Sequence, residues 1–183
     1  MAASATMYHL QIDLSDVDRA VYQTMDLRVA RHPSETMRYL LTRVIAYCLC
    51  YEEGIAFSKG LSTNDEPAAW VKDAHGNLLV WIEVGTPSGE RLHKASKASP
   101  RVVVFTHHDP ALLKKAARAK AIHKAEEIEV YALDGALLDA LERATERNAR
   151  WAMVHTEGTL YVTSGDTSVS GNVTRHSLAD EPP

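Results

Sequence analysis

The chain has 183 residues, of which 45% are hydrophobic and 24% are charged, and its formal net charge at pH 7 is −4. This length and composition are those of an ordinary globular domain, which excludes a disordered or fibrous protein. No stretch approaches the roughly 20 apolar residues that a membrane span needs, and the mild negative charge weighs against a general nucleic-acid binder. Residues 1–7 lack a basic head followed by an apolar core, so we expect no secretory signal and a cytoplasmic protein.

Two alternating segments, at residues 6–14 and 21–31, open the chain and predict an antiparallel pair of strands. A helix is predicted next, with Ser34 as its N-cap and apolar residues at helical spacing as far as the Glu-Glu-Gly sequence that ends at residue 54. Cys48 and Cys50 lie two residues apart on this helix and point to different sides. We therefore expect buried, reduced thiols and neither a disulfide nor a zinc site.

Strands and helices alternate through the rest of the chain, which favours a mixed α/β sheet with helices on its faces. The predicted strands are 55–57, 68–72, 78–85, 101–106, 128–131, 151–156, 159–163 and 169–175. The predicted helices are 87–99 with Pro87 at the first position, 110–124, and 134–148 with Asp134 near its cap. We find no repeat and no linker, so a single domain over residues 1–183 is expected, with a loop at 60–64 and a disordered polar tail at 179–183.

One carboxylate interrupts a strand that should be apolar on both faces. The strand is Leu78–Gly85 and the carboxylate belongs to Glu83. An ionised acid is almost never fully buried without a partner, because removing the charge from water costs several kcal/mol or more. Glu83 therefore needs a cation, a proton or an open cleft.

Further charged residues flank this strand on both sides. Asp65 and Glu66 precede the predicted strand 68–72, and a basic helix follows Glu83 directly. Acids at strand ends with a lysine nearby are typical of sites for hard metal ions and phosphate. The basic residues of the helix are Arg91, Lys94 and Lys97.

Glu52 also stands where a charge is unfavourable. It continues the apolar stripe of Leu41, Ile45 and Cys48, so it should face the sheet. It also lies at a helix C-terminus, where the macrodipole disfavours negative charge by roughly 0.3 to 1 kcal/mol. Either Glu52 has a compensating partner, or the helix has already frayed and Glu52 is simply solvated.

Basic residues are concentrated in one part of the chain. Residues 91–124 contain nine lysines and arginines and one acid, Asp109, so this segment carries +8 and the remainder −12. Such asymmetry is typical of a side that faces a polyanion, here nucleic acid. The alternative is that these side chains coat the solvated faces of two helices. The basic residues are Arg91, Lys94, Lys97, Arg101, Lys114, Lys115, Arg118, Lys120 and Lys124.

Three blocks in order carry a resemblance to a known family. They are 52–62 (EEGIAFSKGLS), 65–70 (DEPAAW) and 81–87 (WIEVGTP), the last followed by Arg91, Lys94 and Ala95. Together they resemble the bacterial YaeQ family over almost the whole chain. The resemblance implies a variant of the PD-(D/E)XK restriction-endonuclease core, ordered α-β-β-β-α-β, with extra N- and C-terminal strands.

The resemblance also implies roles for particular residues. The first acid of the nuclease pattern falls at Asp65 or Glu66, the second at Glu83, and Glu52 matches a helical glutamate of many such nucleases. The pattern expects a lysine two residues after the second acid, but this chain has Gly85 there. We expect Lys94 to substitute for that lysine, with Lys72 as a weaker candidate.

This arrangement would support metal-assisted hydrolysis of a phosphodiester. Asp65 or Glu66 with Glu83 would hold Mg²⁺, or Mn²⁺ in its place, at about 2.0 to 2.1 Å, with Glu52 as a further acid. Lys94 would orient the attacking water and stabilise the developing charge. The expected substrate-binding residues are Arg91, Lys97 and Lys72.

Two other interpretations remain open. In the first, the chain is a catalytically inactive nuclease-fold module that binds nucleic acid or a protein through residues 91–124, and its acids pair with Arg91 and Lys94. In the second, the acids and bases are purely structural. Loss of Glu83 would then mainly lower stability, by roughly 3 to 5 kcal/mol if a buried pair loses one member.

Overall fold

The structure is a computed structural model that describes residues 4–59 and 65–179. The described residues divide into two compact units, one formed by residues 4–41 and 133–173 and the other by residues 42–59, 65–132 and 174–179. The expected loop at 60–64 and most of the expected tail, residues 180–183, lie outside the described residues. The single-domain expectation stays a prediction.

A mixed sheet of five strands forms the first unit. The hairpin predicted at the start of the chain is present, and its first strand also pairs in parallel with a strand from the end of the chain. The strand order is β2-β1-β8-β9-β10. The strands are β1 (Thr6–Asp16), β2 (Val21–Arg31), β8 (Asn148–Thr156), β9 (Thr159–Ser164) and β10 (Thr167–His176).

Strict alternation explains why this sheet has one buried face. Leu10, Ile12 and Leu14 of β1 are buried while their neighbours are more exposed, and the register with β2 brings Met25 and Leu27 to the same side. Strands β8 and β9 join through the expected two-residue turn at 157–158. Helix α4 (Gly135–Ala144) begins at Asp134, whose side chain caps the amides of Ala136 and Leu137.

The second unit contains the predicted alternation of strands and helices. Its strand order is β7-β6-β5-β4-β3, parallel from β5 to β7 and antiparallel from β3 to β5. Its strands are β3 (Ile55–Phe57), β4 (Ala69–Lys72), β5 (Leu78–Val84), β6 (Arg101–Thr106) and β7 (Glu129–Leu133). Its connecting helices are α2 (Gly89–Ala98) and α3 (Pro110–Ala119), followed by a 3-10 turn at Ala125–Glu127.

A hydrophobic core packs the helices of this unit against one face of its sheet. Trp81 of β5 and Val102 and Val104 of β6 contribute from the sheet, while Leu92 and Leu113 contribute from the two helices. The register between β5 and β6 places Glu83 beside Val104, so Glu83 lies on this same face. The alternation of side chains along β5 therefore places the carboxylate of Glu83 on the face that the helices cover.

Two helices begin two residues later than expected. Helix α1 (Met37–Leu49) is capped by Thr36, whose hydroxyl accepts from the amide of Tyr39, while the expected cap Ser34 contacts the ring of His32 at 2.7 Å. Helix α2 begins at Gly89, because the Ser88 hydroxyl caps the amide of Arg91, and not at Pro87. In both cases the hydroxyl nearest the first free amides ends the extended chain.

Three helix ends also come earlier than expected. Helix α1 stops at Leu49, so Glu52 lies beyond the helix on which it was expected. Helix α3 stops at Ala119 rather than at residue 124, and Lys124 has a left-handed backbone, with a φ of 51°, that a helix cannot contain. Helix α4 stops at Ala144, where both the amide and the hydroxyl of Thr145 donate to the carbonyl of Leu141. Strand β8 then begins at Asn148, which was expected to be helical, because it pairs with β1.

The coarse fold expectation is confirmed as a mixed α/β structure, with four α-helices and ten strands in the described ranges. Cys48 and Cys50 are both free and buried, and burial raises the pKa of the Cys48 thiol. Within residues 4–59 and 65–179, every helix is too short or too polar to cross a membrane.

Candidate functional site

Glu83 is buried near the end of β5, with 3% of its surface exposed. Its Oε1 accepts two hydrogen bonds of 2.7 Å, one from the indole Nε1 of Trp81 and one from Nε of Arg91. Its Oε2 accepts no hydrogen bond from the described residues. Burial raises the pKa of the Glu83 carboxyl, and the positive charge of Arg91 and the donor of Trp81 oppose that rise. The predicted need for a partner is therefore met by a cation and a neutral donor.

Arg91 connects Glu83 to the segment before β4. Its guanidinium donates through Nε to Glu83 and through a terminal nitrogen to the backbone carbonyl of Glu66, at 2.6 Å. The capped first turn of α2 positions this side chain, because the hydroxyl of Ser88 holds the Arg91 amide. The planar guanidinium of Arg91 thus binds the carboxylate of Glu83 and the backbone of residue 66 at the same time.

Asp65 lies at the edge of this cluster and pairs with Lys94, one helical turn after Arg91. The hydrogen bond and charge of Lys94, with a smaller effect of Arg91, hold the pKa of the Asp65 carboxyl below its usual value. The Asp65 side chain is 85% exposed, so the pair is solvated and adds little stability. Glu83 with Arg91 and Asp65 with Lys94 are therefore two ion pairs, which the bond from Arg91 to the Glu66 carbonyl links into one network.

Glu66 makes contacts with two different segments. Its Oε2 accepts a hydrogen bond of 3.1 Å from the backbone amide of Lys59. Its backbone carbonyl accepts one from Arg91. Of the two acids proposed for the first position of the nuclease pattern, Asp65 is the one whose carboxylate is beside Lys94.

Glu52 lies on the other face of the same sheet. Its carboxylate is 3.7 Å from Arg101, and the Arg101 guanidinium also binds the two oxygens of Glu129 at 2.6 and 3.1 Å. Arg101 pairs with Val80 in the register of β5 and β6, and Val80 and Glu83 are an odd number of residues apart. Because strand side chains alternate, Arg101 and its acids face away from Glu83. The structure therefore separates Glu52 from the other predicted acids.

Burial and pairing act against each other at Glu129. Burial raises the pKa of its carboxyl, but the hydrogen bond and charge of Arg101 outweigh burial and lower that pKa overall. This second acid-base group is thus satisfied internally.

The remaining predicted cations lie elsewhere. Lys72 of β4 places its ammonium 3.7 Å from the centre of the Trp70 ring, a cation-π contact. Lys97, in the last turn of α2, is exposed and lines a separate cleft. Gly85, where the nuclease pattern expects lysine, has a φ of 89°, a backbone conformation that glycine adopts readily and lysine rarely does.

Reasoning from the sequence missed two groups of the site. Trp81 is buried in the core, and its indole also donates to Glu83. The signal was present, because residues two apart on a strand share a face. The carbonyl of Glu66 left no signal, since a backbone acceptor can belong to any residue type.

The chain matches the sequence model of a known protein family. The family model described as "YaeQ protein" matches residues 1–173. A protein named "Uncharacterized protein YaeQ" from Escherichia coli (strain K12) is 36% identical over 111 residues, which span 61% of this chain and 61% of that protein. The protein of the same name from Shigella flexneri is equally similar over the same share of both chains.

Two solved structures are similar over almost the whole chain. The crystal structure of YaeQ protein from Xanthomonas axonopodis pv. citri has a TM-score of 0.87 and 29% identity, covering 95% of this chain and 99% of that one. The crystal structure of YaeQ protein from Pseudomonas syringae has a TM-score of 0.85 and 31% identity, covering 97% of each chain. This chain therefore belongs to the YaeQ family.

Proposed function

We propose that this chain is a metal-dependent phosphodiesterase of the nuclease type that acts on nucleic acid, in the cytoplasm as the sequence predicts. The observation that carries the proposal is the network in which Asp65 and Glu83 meet Arg91 and Lys94. An acid of β5 and an acid of the segment before β4, beside two cations on one helix face, are the groups that binding a metal ion and a phosphate together requires.

The order of elements supports the PD-(D/E)XK assignment that the proposal assumes. Helix α1 is followed by β3, β4 and β5, then by α2 and β6. This is the α-β-β-β-α-β order that the resemblance implies. The strands of the first unit would then be the N- and C-terminal additions to that core.

The acids present fit a magnesium ion with few protein ligands. Mg²⁺ prefers oxygen ligands and usually takes one or two carboxylates, with waters and substrate phosphates completing its coordination. Among the described residues no group of three or more His, Cys, Asp or Glu side chains could hold a metal, so the site would depend on two carboxylates. Glu83 through Oε2 and Asp65 would provide them, with Mn²⁺ as an alternative ion.

A bound ion would polarise a water molecule and neutralise charge on the phosphate. The residues of the chain would do the rest. Arg91 keeps Glu83 oriented through Nε, which donates to Oε1 and not to Oε2. Lys94 forms a solvated pair with Asp65, which can be exchanged for a phosphate oxygen at little cost. We propose Lys94 as the cation that replaces the lysine absent at Gly85.

One observation favours a second candidate function. Arg91 and Lys94 are both already paired with acids, and Gly85 occupies the lysine position of the pattern. An inactive nuclease-fold module that binds nucleic acid or a protein would have these properties. Its acids would then stabilise the binding surface instead of holding a metal ion.

A cleavage assay separates the two functions. We expect the wild-type chain to hydrolyse a labelled single- or double-stranded DNA or RNA with Mg²⁺ and to stop when EDTA is added. Glu83→Gln should lower the rate by at least about a hundredfold, and Lys94→Ala by about tenfold to a hundredfold. Glu90→Gln, which changes an exposed acid of the same helix, is the matched control and should keep the full rate.

Cleavage that survives in Glu83→Gln would contradict the proposal. The same holds if no substrate of the panel is cut while nucleic acid binds equally well in EDTA. That second result would assign the chain to the binding function.

A further inference from the structure

A separate cleft lies at the C-terminal end of α2, within the second unit. Its volume is about 270 Å³, and it lies between α2, the start of β6 and the 3-10 turn at 125–127. Lys97 stands six residues after Arg91, about 9 Å further along the helix axis. Its described lining includes Lys97, Val102, His123, Lys124, Glu127 and Ile128.

The wall opposite α2 is held in a defined position. The backbone amide of His123 donates to Nδ1 of His93 on α2 at 3.1 Å, so the segment after α3 is tied to the helix. The next residue, Lys124, has a φ of 51° although it is not glycine. Such a backbone costs roughly 1 to 2 kcal/mol, and residues held in it cluster at binding sites. Lys124 is thereby kept at the rim of the cleft.

The cleft combines a positive rim with an apolar floor. Lys97 is exposed and forms no ion pair with the described residues. Lys124 forms a half-exposed pair of 3.2 Å with Glu127, which an incoming anion can replace. Val102 and Ile128, each 4% exposed, form the base between them. A ligand matching these walls has one anionic group and one flat apolar group.

We propose that this cleft binds a nucleoside phosphate, with the phosphate between Lys97 and Lys124 and the base on Val102 and Ile128. The ligand is either a free nucleotide or the phosphorylated end of a strand, because both present the same chemistry. The cleft shares no lining residue with the Asp65–Glu83 network. Binding here therefore requires no metal ion and does not depend on the proposed hydrolysis.

Calorimetric titration with adenosine monophosphate in EDTA tests this site. We expect saturable binding that weakens about tenfold in Lys97→Ala and again in Lys124→Gly. Glycine at 124 suits the left-handed backbone, so this variant removes the ammonium group without straining the turn. Lys115→Ala, an exposed lysine of α3 outside the cleft, is the matched control.

Other ligands identify the part that is recognised. Inorganic phosphate and adenosine should each bind more weakly than adenosine monophosphate. A 5′-phosphorylated oligonucleotide that binds more tightly assigns the cleft to strand ends, and equal binding assigns it to free nucleotides. No saturable binding up to about 10 mM, equal affinity for adenosine, or an equal loss in Lys115→Ala would overturn the proposal.

Discussion

Glu83 is stable inside the sheet because two donors of different kinds converge on one of its oxygens. Arg91 supplies charge and Trp81 supplies a neutral N–H, and both bonds are 2.7 Å long. Burial still dominates, so the pKa of Glu83 remains raised. The residue is thus held in place at the cost of a partly unfavourable charge, a combination typical of functional acids.

This raised pKa predicts how stability depends on pH. A carboxyl with a native pKa above its unfolded value binds more protons in the folded state, so its contribution is complete below the unfolded value. The contribution is then lost as the pH rises through the native pKa. The stability of the wild type relative to Glu83→Gln, which cannot ionise, should therefore fall as the pH rises above the unfolded pKa of glutamate, about 4.3, and through the raised native pKa.

Urea unfolding of both proteins across that range measures the difference. Each unit by which the native pKa is raised corresponds to about 1.4 kcal/mol. Asp65 and Glu129, whose pKa values are lowered, act in the opposite direction but are present in both proteins and cancel. A free-energy difference that stays constant or grows with pH would show that Glu83 is not destabilised by its charge.

At this scale, the need of Glu83 for a partner was predictable from the sequence and its full environment was not. The cost of burying an acid pointed correctly to the cations of α2. Glu52 was grouped with Glu83 because the helix stripe was expected to turn it towards the sheet and the nuclease resemblance includes a helical glutamate, yet a sheet has two faces. Only the register of β5 and β6 shows that Arg101, which pairs with Glu52, lies on the face opposite to Glu83.

At the scale of elements, β3 and β4 depend on close packing at Gly54. An added Cβ there would lie 2.0 Å from the carbonyl oxygen of Lys72, and the φ of Gly54 is 90°. Gly76 has a similar φ of 83° but no atom within 4 Å of an added Cβ. Substituting each of these two glycines in turn thus distinguishes the free-energy cost of backbone strain from that of a steric clash.

We predict that Gly76→Ala lowers the free energy of unfolding by about 1 to 2 kcal/mol, because only the left-handed backbone is strained. Gly54→Ala should cost about 1 to 3 kcal/mol more, because the sheet must also shift. Chemical denaturation of both variants gives the comparison. Equal losses in the two would mean that β3 does not pack as closely on β4 as described.

Strands were predicted more accurately than helix ends. Alternation between buried and exposed positions extends along a whole strand, so errors at one residue are corrected by the next. A helix end depends on one hydroxyl or one carbonyl. Thr36 and Ser88 cap α1 and α2 although Ser34 and Pro87 were equally reasonable candidates, and the pairing of β8 with β1 ends α4 early.

At the scale of the whole molecule, the basic segment does not form one surface. Arg91 and Lys94 join the acid network, while Arg101 is on the opposite face of the sheet with Glu129. Lys97 and Lys124 line the cleft instead. The sequence shows that basic residues are concentrated in this segment, but only the structure shows that they lie in three separate places.

Membership of the YaeQ family shows the fold and leaves the chemistry to the site, because one fold can carry many functions. The proposed hydrolysis therefore depends on whether Asp65 and Glu83 can share a metal ion. Their carboxylates come from chain segments on either side of β4 and pair with Arg91 and Lys94, which lie one turn apart on α2. Every step proposed for hydrolysis requires that these two carboxylates bind the same metal ion.

Anomalous diffraction from crystals soaked in Mn²⁺ tests this point most directly. The account predicts one strong peak in contact with Oε2 of Glu83 and the carboxylate of Asp65, and its loss in crystals of Glu83→Gln. A peak elsewhere, or none while Glu83 stays bound only to Arg91 and Trp81, would contradict it.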